Sequence, residues 1–147
     1  MELSISRFLQ FQRQCAQIYA QRMGRAAESC GLTRPEADVL IFLANNPTYQ
    51  TARDVALYRG FSKAYVSRAV DALQKRRLLQ VEPSPTDRRF QTLCLTEAAA
   101  EPVAVLRRAQ ETFAAQLTRD IPPADSAVAL GVMERMMDNV ASLRQEA

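Results

Sequence analysis

A glycine between two short capped segments constrains this chain more than any other stretch. Thr51-x-x-Asp54 opens a helix running to about Arg59, Gly60 makes the turn, and Ser62 caps a second helix running to about Arg77. Two helices joined by a tight glycine-containing turn form a helix-turn-helix arrangement. The segments after this pair are equally definite. Leu78–Val81 and Phe90–Leu95 read as strands, and the polar, proline-rich stretch between them, Glu82 to Arg89, suits a long hairpin loop.

Helical patterns flank this centre. From about Leu3 to Ser29, Phe8, Phe11, Cys15, Ile18, Tyr19 and Met23 recur at spacings of three and four, and Gly31 is a stop signal. Thr33-x-x-Glu36 is a capping box for a helix whose nearly continuous apolar run, Val39 to Leu43, predicts burial on most sides. Asn45-Asn46-Pro47 ends it. Downstream, Thr96 is expected to cap a helix to about Thr118, with Pro102 forcing a kink or a delayed start. After Ile121-Pro122-Pro123, a last helix from Ala124 to about Leu143 carries Val128, Val132, Met133, Met136, Met137, Val140 and Leu143 on one stripe.

The helix after Gly60 has two distinct faces. At 100° per residue, Val66, Ala69, Val70 and Leu73 fall within a sector of about 100° and should pack inward. The opposite sector holds Ala64, Ser67, Arg68, Asp71 and Lys75, with Lys63 in the first turn. Small residues let a helix lie deep in a major groove, where Arg or Lys can donate to guanine O6 and N7. Ser62 can set its hydroxyl and the helix N-terminus against a phosphate. Asp71 can accept from cytosine N4, or hold Arg68 or Lys75 through neighbours three and four residues away. Charge is concentrated in the same region. Arg53 to Arg89 holds nine basic and four acidic residues, a balance of +5 in a chain whose total is +3, so the remainder carries −2. A basic centre on slightly acidic arms is the footprint of a polyanion-binding module.

Other classes are poorly supported. The 147 residues contain no histidine, no phosphate-binding glycine loop and only four glycines, so no catalytic constellation, cofactor site or metal site is expected. Three irregularly spaced cysteines, Cys15, Cys30 and Cys94, argue against a disulfide framework and for a reducing compartment. No stretch approaches the ~20 apolar residues that cross a bilayer, so a cytoplasmic protein without membrane association is expected.

The order of elements, the Ser62–Leu79 helix and above all Thr86-Asp87-Arg88-Arg89 before Leu93-Cys94-Leu95-Thr96 resemble the winged helix-turn-helix of MarR-type regulators. The resemblance spans nearly the whole chain. It implies a mainly α protein with a small β-hairpin wing. Residues 32–96 would form the DNA-binding core, and residues 1–31 and 97–147 an intertwined helical dimerisation region. It further implies a homodimer on an inverted-repeat operator in double-stranded DNA, acting as a repressor released by a small aromatic or phenolic effector. Recognition helices would occupy successive major grooves and wings the adjacent minor grooves. The DNA-binding set is then Ser62, Lys63, Ala64, Ser67, Arg68, Asp71 and Lys75, with Arg88 and Arg89 from the wing. By this likeness Arg88 enters the minor groove, while Asp87 holds the wing together through a salt bridge with Arg89.

Two departures stand out. The family commonly has glycine where this chain has Arg77, so the recognition helix should run a residue further or end in a different cap. The family's oxidant sensors pair an N-terminal cysteine with tyrosines near the second helix; Cys15 is suitably placed, but Glu36 to Ala44 contains no tyrosine. A redox-responsive repressor using Cys15 and a helical protein-interaction module without DNA binding are the alternative functions.

Overall fold

A computed structural model describes residues 4–146. Leu3, where the sequence pattern starts the first helix, lies outside them. In chain order the elements are α1 (Ile5–Ser29), α2 (Arg34–Asn45), α3 (Ala52–Arg59), α4 (Lys63–Lys75), β1 (Leu79–Pro83) and β2 (Gln91–Leu95). A 3₁₀ turn at Glu97–Ala99 leads into α5 (Ala100–Leu117), and α6 spans Pro123–Glu146. The protein is mainly α with one antiparallel hairpin, a winged helix-turn-helix. Among the described residues, those up to Phe113 and those from Ala114 onward form two compact units.

Local chemistry sets most boundaries in the first unit. α1 ends in a Schellman arrangement: Leu32 N–H donates to Ala27 O at 2.9 Å and Gly31 N–H to Glu28 O at 3.1 Å, with Gly31 left-handed at φ 71°. Thr51 and Asp54 satisfy each other's backbone N–H groups at 3.1 Å, a complete capping box, and Gly60 closes α3 at φ 66°. At α2 the expected box is only half formed. Thr33 Oγ1 accepts from Glu36 N–H at 3.4 Å, but Glu36 does not reach back to the Thr33 backbone. Its carboxylate takes the Thr33 hydroxyl at 2.9 Å and turns its other oxygen to Arg76 Nε, also at 2.9 Å, as an ion pair without a well-directed hydrogen bond.

Every residue of α2 from Glu36 to Leu43 is buried, as its apolar run predicts. Around it pack Met23 and Ala27 of α1, Val55 of α3, the α4 face Val66, Ala69, Val70 and Leu73, and Leu79, Leu93, Val103 and Leu106. Each fully buried aliphatic side chain contributes roughly 1.5–3 kcal/mol relative to exposure. In the hairpin Leu79 pairs with Leu95, Val81 with Leu93 and Pro83 with Gln91. The strands are displaced by one to two residues from the sequence expectation, because pairing extends through Glu82 and stops at Pro83. Leu93 N–H also donates to Gln50 O at 2.7 Å, fastening the hairpin base beside the start of α3.

Three local expectations change. α4 stops at Lys75 rather than near Arg77. Arg77 itself is left-handed at φ 59° and takes the position the glycine would have held, with Leu78 N–H donating to Leu73 O and Arg77 N–H to Gln74 O. Thr96 does not cap the next helix; its hydroxyl donates to Arg77 O at 2.7 Å and locks that turn against the hairpin. Pro102 is the third residue of α5, where its missing N–H has no intrahelical partner to lose, so the start is delayed by the 3₁₀ turn.

In the second unit, α6 opens with Pro123 in its first turn, and Asp120 before it is left-handed at φ 63°. None of its described side chains is buried; Val128, Val132, Met133, Met137, Val140 and Leu143 are exposed.

The Arg77 turn generates a stability prediction. A left-handed L-residue costs roughly 1–2 kcal/mol, and glycine's greater unfolded-state entropy returns about 0.5–1 of that. Arg77→Gly should therefore raise stability by up to about 1 kcal/mol, a few degrees in Tm, whereas the β-branched Arg77→Val should lower it. Thermal melts of the three proteins check this; a glycine variant melting below wild type contradicts the assignment.

Candidate nucleic-acid interface

α4 presents the residues its periodicity sorted outward. Lys63, Ala64, Ser67, Arg68, Asp71 and Lys75 are exposed, and Val66, Ala69, Val70 and Leu73 are buried. Ser62 precedes them as the N-cap, its Oγ accepting from Tyr65 N–H at 3.1 Å while the hydroxyl hydrogen remains available to an outside acceptor. The expectation that Asp71 holds Arg68 or Lys75 is not met: no such ion pair exists among the described residues. Arg68 Nε instead makes a 3.3 Å contact with Ala64 O, one turn back along its own helix.

The wing is braced from within. Asp87 accepts from Arg89 Nε at 3.0 Å and from Arg89 Nη2 at 2.7 Å, while Arg89 N–H also donates to Asp87 Oδ1 at 3.1 Å. The Arg89 guanidinium and backbone hold the Asp87 carboxyl below its ordinary range, and the carboxylate raises the Arg89 guanidinium in return. Ser84 Oγ accepts from the N–H groups of Thr86 and Asp87, both at 3.4 Å, tightening the same loop. Arg88 stands exposed beside this pair with no ion-pair partner among the described residues.

The nine cations of this region therefore divide. Arg76 is bound to Glu36 and donates to Gly31 O at 2.7 Å. Arg59 sits 3.8 Å from Asp38 Oδ1 and 5.1 Å over the Phe61 ring. Arg89 holds Asp87. The other six, Arg53, Lys63, Arg68, Lys75, Arg77 and Arg88, have no ion pair among the described residues, and three of them lie on α4. Counting charges in the sequence treats all nine alike.

Sequence reasoning also passed over the two acids that seat α4. Asp38 and Glu36 are both buried, only 3% exposed, just before the apolar run of α2. A carboxylate there needs charged or hydrogen-bonding partners, which was the available signal. Asp38 accepts from Arg34 Nε at 2.9 Å and from Tyr65 Oη–H at 2.8 Å. Glu36 takes Arg76, the residue that caps α4. α2 thus grips α4 near its first turn through Tyr65 and at its end through Arg76. Burial first, then the hydrogen bond to Asp38, push the Tyr65 hydroxyl up to about 12.

The first unit carries several grooves, among them one of about 770 Å³ beside the hairpin, lined by Gln74, Arg77, Gln80, Glu82 and Glu97. A second of about 440 Å³ is lined by Leu43, Gln50, Leu93, Val103 and Arg107; another of about 340 Å³ lies between α1 and α5, lined by Arg22, Arg25, Ala26, Arg108 and Ala109. All three cysteines are free thiols, and Cys15 is half-buried on the apolar stripe of α1. Burial raises the Cys30 thiol, and burial with the nearby Glu82 carboxylate raises that of Cys94.

Residues 31–89 match the model of the MarR family. No curated protein sequence matches the chain. Among solved structures, the transcriptional regulator PA3341 superposes with a TM-score of 0.81 at 21% identity, over 92% of this chain and 98% of that one. A MarR transcriptional regulator from Methanosarcina mazei Go1 gives 0.77 at 14% identity, over 94% and 99%. A MarR-family protein from Listeria monocytogenes, in complex with 26mer DNA, gives 0.75 at 15% identity, over 97% and 91%. At these identities the likeness is one of fold.

The Tyr65–Asp38 bond makes a pH-dependent prediction. Tyr65→Phe should cost roughly 1.5–3 kcal/mol at neutral pH, the range for a hydrogen bond to a charged group. The folded protein holds the Tyr65 proton more tightly than the unfolded chain, whose hydroxyl titrates near 10.0. The stabilisation is therefore complete below pH 10 and is lost as pH rises toward 12. Melts across this range should show the gap between wild type and variant constant to about pH 10 and closing above it. A gap that widens with alkali contradicts the assignment.

Proposed function

We propose that this chain, which has the fold of the MarR regulators and that family's sequence pattern over residues 31–89, is a transcriptional regulator binding double-stranded DNA. The observation that carries the reading is the division of its cations. The arginines that organise the core and the wing are neutralised internally, while Lys63, Arg68 and Lys75 on the exposed face of α4, and Arg88 on the wing, remain unpaired among the described residues. Cations free to neutralise phosphates provide affinity, and those on a helix that fits a major groove provide selection. The Listeria protein of the same fold in complex with 26mer DNA supports this reading.

In this function Ser62 and Lys63 meet phosphate at the start of α4. Ala64 and Ser67 allow close approach, and Arg68, Asp71 and Lys75 face the base edges. Arg88 enters the minor groove, and Asp87 with Arg89 holds it there, Arg89 adding charge beside the backbone. Residues 32–96 form the DNA-binding core. Residues 1–31 and 97–147 form the dimerisation region, supported by the exposed apolar side chains of α1 (Ile5, Leu9 and Phe11) and by the α6 stripe. The protein represses by occupying its operator and is released by a small aromatic or phenolic effector, for which grooves of the first unit offer space. Free cysteines fit the cytoplasm, and no described helix is long and apolar enough to cross a membrane.

Sedimentation equilibrium at micromolar concentration should give twice the 16.5 kDa chain mass; a clean monomer contradicts the dimer. Selection from a random duplex pool should return an inverted repeat with half-site centres about 10–10.5 bp apart. Arg68→Ala should cost roughly 1–3 kcal/mol of binding and relax preference at one base position per half-site. Arg88→Ala should weaken all major-groove variants about equally and reduce the salt dependence of affinity. Titrations of an operator panel at two salt concentrations separate the two roles. Selected sequences without two-fold symmetry, or an Arg88→Ala protein that fails to fold, would overturn this arrangement.

A further inference from the structure

α4 is seated largely by apolar contacts, which are non-directional and leave its rotation about its own axis weakly fixed. Near its first turn the directional tie is the 2.8 Å bond from Tyr65 to Asp38, and that bond lies at the end of a longer sequence of contacts. On α5, Arg107 donates through Nη2 to Ala44 O at 2.7 Å and through Nε to Asn45 Oδ1 at 3.2 Å. Asn45 Nδ2 donates to Gln110 Oε1 at 2.8 Å, and Gln110 Nε2 donates to Tyr19 Oη, also at 2.8 Å. The Tyr19 ring lies edge-on to Phe113 and carries the Arg34 guanidinium 5.9 Å from its centroid. Arg34 is pinned by Ala20 O at 2.6 Å and donates to Asp38 at 2.9 Å.

The chemistry fixes the direction of every hydrogen bond in this sequence of contacts; the Tyr19–Arg34 link is a cation–π contact. Arginine can only donate, so Asn45 presents its oxygen to Arg107 and its amide hydrogens to Gln110; Gln110 must then donate to Tyr19. At the other end a buried carboxylate can only accept, so Arg34 and Tyr65 both donate to it. Reversing Asn45 would leave like groups facing each other at both of its contacts, and reversing Gln110 would do so at its contact with Asn45.

We propose that Gln110 and Asp38 are positioning residues through which α5 sets the pose of α4. The chain runs from Arg107 through Asn45, Gln110, Tyr19, Arg34 and Asp38 to Tyr65, which lies two and three residues from Ser67 and Arg68. The proposal rests on α4 being the DNA-reading helix, and it names the route by which a change at the α1–α5 contact alters what that helix reads. A small rotation at Tyr65 moves Arg68 relative to base edges, where alignment matters, and leaves its distance from diffuse phosphate charge nearly unchanged.

The test is a double-mutant cycle with Gln110→Met, which keeps side-chain bulk and removes both hydrogen bonds, and Tyr65→Phe. Glu111→Ala, an exposed neighbour outside the chain of contacts, is the control. Gln110→Met should weaken operator binding roughly tenfold, within the usual range of coupling between sites. Binding to random duplex should be unchanged, and the same substitution should have no further effect in Tyr65→Phe protein. Additive losses, or equal losses on operator and random DNA, overturn the proposal. Amide hydrogen exchange of Tyr65–Ala69 gives a second readout that needs no DNA. Gln110→Met should accelerate it in the wild-type background, should not do so in Tyr65→Phe, and Glu111→Ala should leave it alone. Should the protein bind no duplex, the DNA reading fails while exchange still decides the coupling; unchanged exchange overturns it.

Discussion

The structure of the first unit depends on a carboxylate that is almost completely removed from water. Asp38 sits buried in the second turn of α2, directly before its apolar run, and an ion in that position costs several kcal/mol unless its partners arrive with good geometry. Those partners come from three directions. Arg34 is held from α1 by Ala20 O, Arg59 is the last residue of α3, and Tyr65 lies in the first turn of α4. Arg34 belongs to α2 itself, so the pair forms within that helix; Arg59 and Tyr65 add their share only when α3 and α4 occupy their places around it. Apolar packing would tolerate many small rearrangements of the same helices; a set of directional bonds to one buried ion tolerates few.

Glu36 repeats the device two residues earlier, and its consequences reach the other end of α4. By taking Arg76 it is drawn away from the capping role its spacing implied. Arg76 also bonds to the Gly31 carbonyl, so the end of α4 is tied to the turn between α1 and α2. The residue after it, Arg77, is left-handed. Thr96 holds that turn from the hairpin side instead of capping a helix, and α5 begins through a 3₁₀ turn.

The same pairing separates structural charge from available charge. Arg59, Arg76 and Arg89 are fixed within the protein, which orders the surfaces on either side of them. Arg68, Lys75 and Arg88 are left to the outside. A carboxylate next to each fixed arginine also lowers the local positive potential, so what a polyanion meets is narrower than the overall basic balance of this region suggests.

Most of the element order was legible in the sequence because its signals are local. A hydroxyl three residues before an acid, a glycine after a periodic run, and apolar residues three and four apart act over one or two helical turns, whatever surrounds them. The two faces of α4 and the Asp87–Arg89 brace belong to this class: the first comes from periodicity, and the second was implied by the MarR resemblance and joins residues two apart. The strand ends, the half-formed cap at Glu36 and the left-handed Arg77 were not legible, because each answers to a group brought near by the fold. The Gln110–Tyr19 contact joins residues 91 apart in sequence, and Arg76–Gly31 joins residues 45 apart. The order of residues alone settles which segments make helices, which face of each is apolar, and that a basic wing comes after the turn. Which arginines are free was left to the packed fold, since an arginine is free or bound according to whether a carboxylate lies within about 4 Å of it; Arg34 and Arg89 meet theirs within four residues, whereas Arg59 and Arg76 meet theirs only once α2 is packed against its neighbours.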